Sequence, residues 1–107
     1  MLYINKRIAM QYLMGNESIY NKIKNSFLIS NSNYINRYIE IIDSNNIDEA
    51  YSYIHSIKGI SLNLGAEKLF DSCNVVLEEL KKGLWKKDLI EDFFKVLKGT
   101  YEELNFL

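Results

Sequence analysis

His55, Lys58 and Gly59 are the residues whose types and spacing could do chemistry in this chain. They stand three and four positions apart, so on a helix they share one face. An imidazole in its neutral form has one ring nitrogen that carries no proton. A neutral ring nitrogen is a nucleophile, and histidine can carry covalent intermediates. Lys58 can offset the charge of a phosphoryl group on that ring or passing to it. Gly59 removes a side chain one turn beyond the ring and lets a bulky group approach. A glycine inside a helix costs about 1 kcal/mol relative to alanine, so this one needs a reason.

The missing partners narrow the chemistry. No carboxylate lies one turn from His55 to act as base or orienter; Asp48 shares the stripe but stands about two turns away. His55 is the sole histidine and Cys73 the sole cysteine, which excludes a thiolate zinc site and an internal disulfide. There is no Gly-rich phosphate loop, no nucleotide-binding signature and no assignable Ser/His/Asp set. If His55 takes and gives a phosphoryl group, a metal ion and the remaining catalytic groups must come from a partner.

The elements must then hold His55 outward. At about 100° per residue, Ile47, Ala50, Ile54, Ile57, Ser61 and Leu64 form one inward stripe. Its centre lies roughly 120° from His55, so the imidazole is expected in solvent. Tyr51, Lys58, Gly59 and Leu62 point within about 60° of His55. Tyr51 and Leu62 put apolar surface on an outer face, a hint of partner docking.

The remaining pattern is helical throughout, with no strand alternation. A short helix is expected over 2–13, with Ile4, Ile8, Ala9, Tyr12 and Leu13 on its buried face. Gly15 caps it and Asn16 starts the next. Residues 17–44 keep one apolar phase through Tyr20, Phe27, Tyr34 and Ile41. That favours a single long helix despite the poor helix formers Ser30-Asn31-Ser32-Asn33. Asn46 with Glu49 suggests a capping box for a helix to about Asn63, which Gly65 ends. A helix over about 66–82 places Leu69, Cys73, Val76 and Leu80 inward, with Phe70 and Leu77 flanking. Gly83 closes it, Asp88 with Glu91 offers another cap, and the last helix runs to about Asn105. Trp85 is expected over one end of the core, and the lysines around that turn form a solvated rim. The expected fold is all-α: an antiparallel up-down-up-down four-helix bundle with an additional short N-terminal helix across one end.

Bulk composition agrees. The 107 residues suit one domain, 1–107, with 48% hydrophobic residues and no proline. Thirteen basic and fourteen acidic residues give a net charge of −1, which argues against a general attraction to nucleic acid or anionic membrane. No apolar run approaches the roughly 18–20 residues of a membrane span. Asn5, Lys6 and Arg7 make the N-terminus too polar for a signal peptide core. A cytoplasmic monomer is the expectation.

The run His55-Ser56-Ile57-Lys58-Gly59, followed by Asn63-Leu64-Gly65-Ala66 and Leu69, resembles the signature of histidine-containing phosphotransfer (HPt) domains. That signature is similar to AHSLKGSSANLGA…L, and the helical plan is similar along the whole chain. The resemblance implies a phosphohistidine intermediate that exchanges phosphoryl groups with aspartates of response-regulator receiver domains, with a sensor histidine kinase as a further partner. It implies that His55 is the phospho-accepting residue, that Lys58 balances phosphate charge and that Gly59 gives access. The carrier would have no cofactor of its own, the metal ion belonging to the receiver. Ile54 and Ile60 depart from the small residues common in the family. Leu77 and Lys81 stand on the next helix where some members place Gln or Arg. Two other roles share these residues: a docking module that carries no phosphate, and the phospho-accepting input domain of a chemotaxis-type kinase.

Overall fold

The computed structural model describes residues 2–106. Among them there are six α-helices and no strand: α1 (Lys6–Tyr12), α2 (Glu17–Ser30), α3 (Tyr34–Ser44), α4 (Ile47–Ser61), α5 (Glu67–Lys81) and α6 (Lys87–Asn105). A single turn of 3-10 helix, Leu62–Leu64, extends α4. None of these helices is long and apolar enough to cross a membrane. The packing spans 39 × 24 × 21 Å. α4 lies along α5 and α5 along α6, while α2 and α3 also reach α6.

Local chemistry accounts for most of the helix ends. The side-chain oxygens of Asn5, Asn16 and Asn46 accept from the backbone N–H of Arg7, Ile19 and Glu49, so each satisfies a donor the first turn cannot. Gly15, Gly65 and Gly83 all take positive φ at helix exits. Two expected caps are different. Glu49 does not return to the Asn46 backbone, whose N–H is taken by the Ser44 hydroxyl, so the capping box is one-sided. Asp88 lies inside the first turn of α6, and Lys86 holds the cap position without a side-chain capping bond, its ammonium pairing instead with Glu79. The Asp88 carboxylate is still well placed near the positive end of the helix.

The expected long helix over 17–44 is two helices. Asn31 ends α2, and its buried side chain is committed in both directions: its amide donates to the Phe27 carbonyl and its oxygen accepts from the Tyr53 hydroxyl on α4. A buried amide with such partners fixes a break that propensity alone leaves open. The apolar phase does survive it, since Tyr20, Phe27 and Ile41 are all buried. Tyr53 is in turn covered by the Arg37 guanidinium, 4.8 Å from its ring centre, and stacks on Phe94. Burial pushes the Tyr53 phenol up to about 12, against the pull of Arg37.

The N-terminal helix is also shorter than the 2–13 pattern. Residues before Asn5 run as extended chain because their donors are satisfied elsewhere. The Glu103 carboxylate near the end of α6 accepts the backbone N–H groups of Leu2, Tyr3 and Ile4. The Tyr3 ring lies on the backbone of α6 at Gly99, where a Cβ would collide with it. Gly99 is thus a docking surface for an aromatic ring. Ile4 and Ala9 are buried as expected, but Tyr12 is 56% exposed and leaves the core face.

α1 packs on the 3-10 turn, and a backbone contact fixes the joint. Asn5 N–H donates to the Gly65 carbonyl at 2.8 Å, and a Cβ on Gly65 would strike the Asn5 carbonyl. Gly65 therefore answers two demands, a left-handed φ of 75° and a close approach of a second chain segment. Tyr20 of α2 adds a hydrogen bond to the Leu64 carbonyl at 3.3 Å. Gly65→Ala is expected to lower unfolding stability by roughly 2–4 kcal/mol, the left-handed penalty plus overpacking. Denaturant unfolding measures the loss, and amide exchange at Asn5 should accelerate before exchange in α5.

Candidate functional site

α4 presents His55 as the pattern requires. Ala50, Ile54, Ile57 and Ser61 are buried, and His55 on the opposite side is exposed. Ile47, at the start of the stripe, is only partly covered. The imidazole stacks on the Tyr51 ring one turn earlier, with centroids 5.8 Å apart and planes 15° from parallel. No carboxylate or other side chain among the described residues hydrogen-bonds to it, so ring packing alone biases its orientation.

Next to the ring is an open depression of about 310 Å³ lined by Tyr12, His55, Lys58, Gly59, Leu62, Asn63 and Phe70. The structure thus brings together four of the five residues singled out in the sequence: His55, Lys58, Gly59 and Leu62. Leu62 does so as the first residue of the 3-10 turn, one step past the end of α4. Tyr51 is not in the lining and acts through its stack on His55.

Lys58 is half-buried, and its ammonium lies 5.7 Å from the centre of the Phe70 ring of α5. Among the described residues no carboxylate pairs with it. None of the residues lining the depression is acidic, so the cavity carries donors and one full positive charge. Such a surface favours a small anion. A Cβ built on Gly59 meets nothing within 4 Å. The glycine is therefore not required by packing within the chain, and its absent side chain leaves open space beside His55.

Three lining residues escaped the sequence reading as site residues. Asn63 lies inside the stretch that ends in Gly65, so its position was on view although its side chain was not singled out. Phe70 was placed on the flank of the α5 stripe, and flank positions are the ones that close the side of a neighbouring site. Tyr12 carried no local signal, because its place depends on the contact between Asn5 and Gly65. At the positions where a polar helper on α5 was considered, Leu77 is buried and Lys81 is exposed. The aromatic Phe70 is what α5 contributes to the depression.

Cys73 is fully buried in the core, as expected of a small apolar side chain. Burial pushes its thiol up to about 12, while the positive charge of Lys58 acts in the opposite direction. Folding thus favours the neutral thiol. The stability that follows is fully present below the ordinary thiol value of 9.0 and is lost as pH rises towards 12. Two outcomes are expected. Stability measured by denaturant should fall above pH ~9, less so in Cys73→Ala. A thiol reagent at pH ~8 should label Cys73 only at the rate of unfolding. Gly59→Ala, by contrast, should leave the fold intact and raise stability by about 0.5–1 kcal/mol, read as a higher melting temperature.

Compared with protein-family models, with curated proteins and with solved structures, the chain finds no significant match.

Proposed function

We propose that this protein is a histidine phosphotransfer carrier: His55 receives a phosphoryl group from a receiver-domain aspartate and returns one to another. The observation that supports it most is the shared depression, in which an exposed imidazole stands with an unpaired ammonium and an open glycine position. On this reading α2 and α3 together form one arm of an antiparallel up-down-up-down four-helix bundle whose other arms are α4, α5 and α6. α1 is the additional helix at one end.

The step is a simple exchange of bonds. The unprotonated ring nitrogen of His55 attacks the phosphorus of the acyl phosphate. An N–P bond forms, the P–O bond to the carboxyl group breaks, and the aspartate leaves as carboxylate. The other ring nitrogen keeps its proton through the step. Lys58 offsets the charge on the transferring oxygens, and Gly59 leaves room for the receiver's loops. The receiver brings the metal ion that neutralises its own acidic site. Tyr51 and Leu62 supply apolar contact at the rim, for an interface at or below about 1,200 Å². The carrier works as a cytoplasmic monomer, and a sensor kinase feeds the pathway through its receiver.

Mixing the protein with phosphorylated receivers should transfer an acid-labile, base-stable label to it. No label on the wild-type chain across a panel of receivers would sink the reading. His55→Gln should abolish labelling, and label that survives the substitution refutes the residue assignment. Lys58→Ala should slow transfer roughly 10–100-fold, the size of effect expected for a charge that acts in the transition state, with little change in melting temperature. A large fall in melting temperature would instead make Lys58 structural.

A further inference from the structure

The phosphotransfer reading leaves Tyr12, Asn63 and Phe70 of the depression without a role. Tyr12, the last residue of α1, lines the same space as His55 and Lys58 although it comes from a different element. Its helical phase places it inward, yet more than half of it is exposed. The seat that puts it there is specific: the Asn5 backbone against Gly65, and the three N–H bonds to Glu103 that hold the chain before Asn5. Neither contact involves Tyr12 itself. A phenol hydroxyl is a hydrogen-bond donor, and Lys58, Asn63 and the apolar Phe70 line the same depression. α5 presents no polar group to this depression, where a phosphoryl oxygen on His55 would leave lone pairs unmet.

Resting on that reading, we propose that the Tyr12 hydroxyl donates to the phosphoryl group carried on His55, sharing its charge with Lys58. α1 is then part of the transfer site. The donor comes from the first helix of the chain and not from α5, across the joint made by Gly65.

The consequence is a longer-lived phosphohistidine. Loss of the group to water needs an in-line approach to phosphorus, and a donor that fixes the phosphoryl oxygens against the wall of the depression holds the resting group out of that geometry. A hydrogen bond to a charged group of this kind corresponds to roughly a tenfold change in rate.

The probe is phosphoramidate, which passes its phosphoryl group to histidine as its own P–N bond breaks and ammonia leaves. Wild-type protein, Tyr12→Phe and His55→Gln are treated alike, and the phosphohistidine signal is followed by phosphorus NMR after the reagent is removed. Tyr12→Phe keeps the ring and loses only the hydroxyl. The expected result is labelling of wild type and Tyr12→Phe but not His55→Gln, with decay about tenfold faster and a shifted phosphorus resonance in Tyr12→Phe. Its melting temperature should equal that of the wild type. Equal decay rates and resonances overturn the role of Tyr12 while leaving His55 as a carrier. A Tyr12→Phe chain that melts well below wild type places the hydroxyl in packing and also overturns it. A wild-type chain that takes no label overturns the carrier reading and this one with it.

Discussion

The contact between the Asn5 backbone and Gly65 is the constraint on which the arrangement at the His55 depression depends. It is a place where two backbones meet with no room for a Cβ between them. On one side it ends the helical run that carries His55, because Gly65 takes the left-handed conformation that lets the chain turn into α5. On the other it fixes where α1 begins, and so where Tyr12 finishes. Two walls of the depression, one from α4 and one from α1, are therefore set by a single residue that is not itself part of the lining. Tyr20 reinforces the joint from α2 through the Leu64 carbonyl, with its phenol raised first by burial and then by the charge of Glu17.

A second constraint acts at the opposite face of α4. Tyr53 points away from His55 into an aromatic group with Phe93 and Phe94, and its hydroxyl holds Asn31 at the break between α2 and α3. α4 is thus gripped by apolar packing along its inner stripe and by a buried polar pair on its flank. A side chain like Phe93, fully buried, contributes roughly 1.5–3 kcal/mol by removal from water. The Tyr53–Asn31 bond contributes less than that but is directional, and it is costly to leave half-made. Rigid support of this kind is what a surface imidazole with no hydrogen bond of its own needs, since the helix beneath supplies the precision its side chain lacks.

The helical class, the inward stripe of α4 and the exposure of His55 were legible in the sequence because they follow from periodicity. Hydrophobic phase reports which way a residue faces. It does not report whether the hydrogen-bond ladder is continuous, and this is why 17–44 reads as one helix although Asn31 divides it. The same gap explains Tyr12. Its phase within α1 is inward, but α1 is short and is seated by contacts more than fifty residues away in sequence, so local phase loses authority. The early start assigned to α1 failed because the donors of Leu2, Tyr3 and Ile4 find Glu103, about a hundred residues on. Gly99, a poor helix former inside α6, is the surface on which the Tyr3 ring lies. At Asn31 the missing information was a side-chain pair with Tyr53; in the other cases it was a long-range contact made through a backbone group or a glycine, which composition and periodicity do not encode.

Phe70 holds the Lys58 ammonium by its ring face. A lysine held by a carboxylate must first dissociate from it before it can serve another anion, and that separation enters the barrier of every encounter. A ring face orients the cation while leaving its field almost whole, because the attraction is to a quadrupole and neutralises no charge. The reorganisation that an ion pair would require at each arrival has, in this protein, already been completed by folding.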